Sequence, residues 1–421
     1  MEVHRLLKHK LIAAVLIIPI FFAGAAMADT LTLDACINTA LKKHPDMIAA
    51  EAEVASKKAS VGQSAADTRP QITGGASYTR SDSTDSSGGT GRYSASVSLE
   101  QSVYDWGKRG LRIEGAKINV SAAEAEYLDV RDRVIADVKS AYYNLNRATR
   151  QHKVAQSRYD NYKKRLSWAM SYYEAGTKPK IEVTKAEADL ANSRLTLVKA
   201  VSGTEQYRAQ LASAMGMPML EIKDVADVLT YEDWGVPIGE AVERALSNRP
   251  DLVAQRRRVE YAETLLALQK KGLSPEISAS AGYTAYGSAP FDDNGWNAKL
   301  SLSFPIYDGG LTGSRVEGAE ADLVSAKAQL ESASNNVMLE VRKAWHALSE
   351  AQEALKASLE AERQARETYE LAEGRYEAGV GNSLEISDAV DSYASAQTNT
   401  ILSLYECKAK RLDLEKAMGG L

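Results

Sequence analysis

Two cysteines and five histidines in 421 residues leave too little material for a disulfide framework or a clustered metal site. Basic and acidic residues nearly balance, at 51 against 56. The resulting net charge of −5 gives no electrostatic footprint for nucleic acid. No glycine-rich phosphate loop appears, and no nucleophile stands beside a base, so an enzyme is disfavoured and no cofactor is expected. Any energy source must lie in a partner. Long hydrophobic runs are also missing beyond the N-terminus, so no helix of the remaining chain is apolar enough to span a bilayer. With 44% hydrophobic and 25% charged residues, the composition is that of a folded chain.

The one long apolar run has the anatomy of a secretory signal. His4, Arg5, Lys8 and Lys10 precede an apolar stretch from Leu11 to Phe22, and Ala26-Met27-Ala28 is a small-x-small cleavage site. Residues 11–28 carry no charge, which leaves an uncleaved anchor as the rival, but Pro19, Gly24 and the cleavage-like end favour removal of residues 1–28 as a signal peptide. An exported chain without apolar helices either enters a membrane through strands or stays in the periplasm.

What the sequence does contain is a copy of itself. Tyr173-Glu174-Ala175-Gly176 returns as Tyr376-Glu377-Ala378-Gly379, 203 positions later. Each Gly ends a long helical pattern, as expected of a residue that enters left-handed backbone space without a Cβ clash. Val103-Tyr104-Asp105-Trp106-Gly107 matches Ile306-Tyr307-Asp308-Gly309-Gly310, and Ala214-Met215-Gly216 matches Ala417-Met418-Gly419, at the same offset. Leu41 to Met47 matches Leu246 to Leu252 at an offset of 205, so one two-residue deletion reconciles the copies. The unit of about 200 residues is far longer than a solenoid repeat.

Each copy carries two stretches of strict alternation. Ile72, Ala76 and Tyr78 face away from Gln71, Thr73, Ser77 and Thr79, and Tyr93, Ala95, Val97 and Leu99 face away from Ser94, Ser96, Ser98 and Glu100. The second copy repeats this with Ile277, Ala279, Ala281 and Tyr283, then with Trp296, Ala298, Leu300, Leu302 and Phe304. A period of two predicts strands with one apolar and one polar face. At about 10 residues each they have the length of tilted membrane strands. Four such strands cannot close a barrel, and an open sheet edge is not tolerated in lipid. If the strands lie in a membrane, several chains must share one barrel.

The remainder is helix. From Gly107 to Ala175 there is no proline, and apolar residues recur from Ile113 through Val134 to Ala148 in steps of three and four, a heptad seam with one step out of phase. The fold class is therefore mainly α with a small β part, built as a tandem-duplicated helix, β-hairpin, long helix and return helix. The first copy spans 29–217, with strands at about 71–81 and 92–103, a long helix over 107–175 and a return helix over 180–215. A linker covers 218–235. The second spans 236–421, with strands at about 276–286 and 296–306 and helices over 312–378 and 383–418. Helices over 33–65 and 238–270, interrupted by Pro45 and Pro250, lead into the strands.

This arrangement resembles the TolC family of outer-membrane efflux channels, most specifically through Phe304-Pro305-Ile306-Tyr307-Asp308-Gly309-Gly310 and through Tyr376-Glu377-Ala378-Gly379 with Leu384-Glu385-Ile386-Ser387-Asp388-Ala389. The resemblance covers nearly the whole chain after residue 28. It implies a homotrimer with a 12-stranded barrel in outer-membrane lipid, a periplasmic helical tunnel, and docking to a periplasmic adaptor protein and an inner-membrane pump. It implies that Asp388, Glu385, Glu182 and Tyr376 form the periplasmic gate, and that Gly176, Gly379, Val380 and Gly381 sit at the tips that contact the adaptor. Gly381 occupies a position where family members can carry an Arg, and the first tip is basic instead, with Lys178, Lys180 and Lys185; the lock on a closed state is then built differently or is weaker. The resemblance also implies that the first and last helices meet, which allows Cys36 and Cys407 to pair. The function implied is a passive efflux duct. Service in one-step (type I) protein secretion is the alternative with the same pore architecture. A periplasmic coiled-coil scaffold without a pore is the third reading, against which the alternating strands argue.

Overall fold

The structure, a computed structural model, describes residues 30–81, 90–289 and 292–421. The signal-peptide assignment lies outside the described residues, as does most of the first hairpin loop. The chain builds the same series twice: α1 (Leu33–Lys43), α2 (Pro45–Ala66), β1 (Gln71–Ser81), β2 (Thr90–Tyr104), α3 (Lys108–Glu174) and α4 (Lys180–Ala214), then α5 (Ile238–Asn248), α6 (Pro250–Gln269), β3 (Glu276–Gly287), β4 (Asp293–Ser303), α7 (Leu311–Glu377) and α8 (Ser383–Ala417). Pro45 and Pro250 do more than interrupt a helix. Each opens a new one at its first position, where the missing N–H has no partner to lose. At the first break, the His44 Nδ1 accepts the Asp46 N–H at 3.2 Å.

The four strands form one antiparallel sheet in sequence order, β1-β2-β3-β4. Ile72 faces Leu99, Leu99 faces Ala281 and Ala281 faces Ala298, which carries one apolar face across the sheet. That face is uncovered: Trp296 is 79% exposed and Leu300 73%. β4 stops at Ser303, short of residue 306, because Pro305 has no N–H to donate to a ladder. Within the chain β1 and β4 each have a neighbour on one side only.

Each hairpin feeds a long helix through the same turn. The Asp105 carboxylate accepts the N–H groups of Gly107 (3.2 Å) and Arg109 (2.7 Å), and Asp308 accepts those of Gly310 (3.2 Å) and Thr312 (2.8 Å). Burial works to raise the Asp105 carboxyl, but the Arg109 N–H and guanidinium outweigh it and hold the group below the usual carboxylate range. Trp106 and Gly309 sit at equivalent points with φ of 54° and 69°. The first copy thus puts an indole where the second uses the residue suited to left-handed backbone.

α3 and α7 are 67 residues each, about 100 Å long. The alanine-rich seam of α3 is fully covered only in part, around Ala123 and from Val134 to Ala148. There α1, α4 and the segment after α4 close over it into a core with Cys36, Leu211 and Met215. Tyr142 is buried in this core, its hydroxyl lying between the carbonyl oxygens of Leu31 (2.9 Å) and Ala226 (2.8 Å). It pins the N-terminal segment against the linker, where Leu31 and Val225 form a parallel bridge. α7 has the corresponding core with α5 and α8, around Val341, Leu355 and Leu414.

The Cys36–Cys407 pairing that the resemblance allows is not formed. Both are free, buried thiols, and they belong to these two different cores, Cys36 packing with α3 and Cys407 with α7. Burial pushes the Cys36 thiol up to about 11.

Candidate functional site at the helix-hairpin tips

The α3–α4 and α7–α8 hairpins end in the two copies of the repeated tetrapeptide. Gly176 and Gly379 take positive φ (71° and 76°), so each chain reversal uses backbone that only glycine enters without strain. The same letters land in different surroundings: Tyr173 is 46% exposed, whereas Tyr376 is 1% exposed in a small apolar cluster with Tyr162, Ala372, Ile386 and Val390.

The two tips of one chain lie side by side and are tied at three levels. At the end, the Lys178 ammonium donates to the Gly381 carbonyl at 3.1 Å and lies 5.2 Å from the Tyr376 ring centre and 5.9 Å from that of Tyr172. The Tyr172 hydroxyl is 3.2 Å from the carbonyls of both Tyr376 and Glu377. One level up, the Arg165 guanidinium, buried at 2% exposure, donates to Asp189 (2.9 Å), the Ser387 hydroxyl (2.8 Å) and the Ser383 carbonyl (3.0 Å). Above that, Asp391 accepts from Arg158 (2.8 Å) and from the Tyr162 hydroxyl (2.5 Å). Burial, reinforced by Asp391, pushes the Tyr162 phenol up to about 12, so it remains a donor throughout the physiological range.

The residues singled out by resemblance divide between these surroundings. Tyr376 belongs to the buried cluster; burial raises its phenol, Arg165 opposes that, and Glu182 adds to it. Glu182 comes from α4 to the same place and keeps one carboxylate oxygen buried with no hydrogen-bond partner. Glu385 is exposed and paired with Arg375 at 3.1 Å. Asp388 is exposed and, among the described residues, has neither an ion pair nor a hydrogen bond. Gly176, Gly379 and Val380 project at the ends, with Val380 72% exposed. Gly381 does not project. It is buried, and a Cβ there would lie 2.9 Å from the Tyr376 nitrogen. No side chain fits at 381, so Lys178 of the other tip supplies the cation to this turn.

Arg158, Tyr162 and Arg165 were not evident in the sequence as site residues. A signal was present: Ala148, Ala155, Tyr162 and Ala169 continue the α3 seam at heptad spacing, which puts Arg165 inside that seam, where a charge needs a partner.

Two long helices per chain, an open four-stranded sheet and paired tips form an architecture that comparison places. The sequence model of the outer membrane efflux protein family matches residues 36–217 and again 241–420, once for each copy. The chain belongs to the outer membrane efflux protein family. It is 24% identical over 372 residues to the outer membrane protein TolC of Escherichia coli (strain K12), covering 84% of this chain and 75% of that protein. It is 22% identical over 406 residues to the pyoverdine export outer membrane protein OpmQ of Pseudomonas aeruginosa, covering 92% and 85%. The crystal structure of the Campylobacter jejuni CmeC outer membrane channel superposes with a TM-score of 0.80 at 19% identity, over 92% of this chain and 85% of that one. As an outer membrane efflux protein the chain is a protein of the outer membrane. None of its described helices is long and apolar enough to cross a bilayer.

Proposed function

We propose that this outer membrane efflux protein is the passive exit duct of a tripartite system, a homotrimer that carries small molecules from the cell envelope to the exterior. The observation that carries the reading is the four-stranded sheet with an apolar outer face and two unpaired edges. Lipid forbids open edges, and three such sheets make a 12-strand closure. The helices support the same assembly. α4 exposes Leu195, Val198 and Val201, and α7 exposes Leu359 at a similar distance from the tips. Both patches are uncovered within their own chain, so an α4 of one chain suits an α7 of the next in apolar character. The name of the pyoverdine exporter favours small molecules as cargo.

The tips form the periplasmic gate and the docking end. Asp388 is free within its own chain, and threefold symmetry brings three such carboxylates together, where they repel one another and attract cations. Exposed Val380, Leu384 and Ile181 give a periplasmic adaptor apolar knobs to hold, with an inner-membrane pump supplying the energy.

The test is single-channel conductance of the purified protein in a planar bilayer, with its oligomer mass measured alongside. A trimer with a small, cation-biased conductance that rises severalfold for Asp388→Ala supports the reading. A monomer that never conducts refutes it.

A further inference from the structure

We infer that Tyr104, Trp106 and Lys271 form a binding site for the headgroup of an anionic phospholipid, at the periplasmic edge of the sheet. The inference rests on the membrane-barrel reading above and is independent of gating at the tips.

Its starting point is backbone strain. Trp106 is the one non-glycine among the described residues with a positive φ, 54°. For so bulky a side chain that region is an outlier, and such conformations persist where the surroundings require them. The turn itself does not require a tryptophan. The second copy makes the same carboxylate-capped turn with Gly309, at a φ of 69° and without the strain. The indole therefore has a use outside the turn.

Its surroundings indicate which use. The Trp106 ring stands edge-on to that of Tyr104, with centroids 4.7 Å apart, and 38% of the residue is exposed. Tyr104 pairs with Ile277, and Ile277 with Leu302, so the two rings lie at the end of the apolar face. Tyr93 marks the other end of that face, 11 residues earlier. At about 3.3 Å per residue the interval is roughly 36 Å along the strand, and a tilt of ~45° makes it about 26 Å across the bilayer. Outer-membrane barrels carry an apolar band of about 25 Å flanked by aromatic rings. Trp296 and Tyr307 repeat the 11-residue interval in the second copy. Tyr104 and Trp106 thus stand where acyl chains give way to headgroups, the level that such rings favour.

A charge completes the site. The Lys271 ammonium reaches from the end of α6 to the Trp106 carbonyl at 2.7 Å, and no carboxylate pairs with it among the described residues. That bond uses one of its three protons and leaves the others for a phosphate oxygen. Lys108 is engaged differently: it donates to the carbonyls of Gly272 and Ser274 and lines the polar recess that holds Glu100 and Glu276. In the second copy Gly309 stands for Trp106 and Ala66 is the repeat equivalent of Lys271. Indole and ammonium are thus present together at one turn and absent together from the other. A shared ligand explains that coincidence, whereas the geometry of the turn does not. Phosphatidylcholine brings its own cation to its phosphate, so an unpaired ammonium favours a headgroup without one, such as phosphatidylglycerol.

The experiment is native mass spectrometry of the full-length protein released from detergent, with phosphatidylglycerol or phosphatidylcholine added at equal concentration. The expected result is about one phosphatidylglycerol retained per chain, roughly fivefold or more over phosphatidylcholine. Lys271→Gln abolishes the preference. Trp106→Gly, which copies the turn of the second unit, lowers retention to a similar degree, while its melting midpoint in lipid-free detergent stays level or rises. Equal retention of the two lipids, or a preference that survives either substitution, overturns the inference. Competition by millimolar inorganic phosphate also overturns it, since the site then reads free phosphate rather than lipid. A fall in the lipid-free melting midpoint of Trp106→Gly makes the indole a packing residue and has the same consequence. The spectra give the oligomer mass as well, so a failure of the trimeric duct is read separately from a failure of this site.

Discussion

Replacing Arg165 by Met keeps most of the volume of the side chain and removes its charge. The guanidinium is buried, so nothing from solvent takes its place, and Asp189, the Ser387 hydroxyl and the Ser383 carbonyl lose their donor together. Breaking a buried ion pair from one side costs about 3–5 kcal/mol, since an uncompensated carboxylate remains. Asp189 is 22% exposed, so water relieves part of that and the lower end applies. The tip cluster around Tyr162, Tyr376 and Ile386 is separate from the two mid-helix cores, and the loss should stay local. At a factor of ten per 1.4 kcal/mol, about 3 kcal/mol accelerates local opening by roughly two orders of magnitude. Hydrogen exchange followed by peptide mass spectrometry reads this directly. Amides over 160–172 and 383–394 should exchange about a hundredfold faster, and those over 130–148 should not change. Adding Asp189→Leu removes the stranded carboxylate and should recover part of the protection. Uniform acceleration along α3, or none at the tips, refutes the assignment of Arg165 as the tie between the hairpins.

Further outcomes follow from single positions. Gly381→Ala drives a Cβ into the Tyr376 backbone and should loosen the tip as far as Arg165→Met does, whereas Gly379→Ala meets open space and should cost only about 1 kcal/mol of left-handed strain; exchange at 376–390 ranks the two. Burial works to raise the Asp251 carboxyl, but its hydrogen bonds and ion pair with Arg249 hold it below the usual range. Its contribution to stability is therefore complete above the unfolded value near about 4 and lost as pH falls through the lower folded value. Thermal melts from neutral to acid pH should lose this acid-dependent component in Asp251→Asn. The buried thiols should resist alkylation in the folded protein at neutral pH, and unfolding without reductant should release two titratable thiols; a count of zero contradicts the separated cores.

Much of the fold was legible because its signals are local. Alternation around Tyr93 to Leu99, glycines past the helix ends and the Asp105/Asp308 turn are written within a few residues of one another. The tip ties were not legible, because they join residues far apart in the chain: Lys178 to Gly381, Arg165 to Ser387, Tyr162 to Asp391. No spacing rule brings such pairs together before the helices are packed. The tetrapeptide itself does not distinguish Tyr173 from Tyr376, and packing leaves the first exposed and buries the second. Resemblance located Asp388 and Glu385 alike, yet Arg375 neutralises the second and leaves the first free.

The two bare edges of the sheet, β1 and β4, carry a consequence for inheritance. In the proposed trimer the shared barrel is only as sound as its worst member, since one chain with a faulty edge leaves the facing edge of a neighbour unpaired. A cell that expresses normal and edge-defective chains in equal amounts, mixing freely, makes roughly one wholly normal assembly in eight. Mutations on β1 or β4 should therefore act dominantly in merodiploid cells, whereas a change confined to the inner strands of the sheet leaves the edges that other chains must recognise intact.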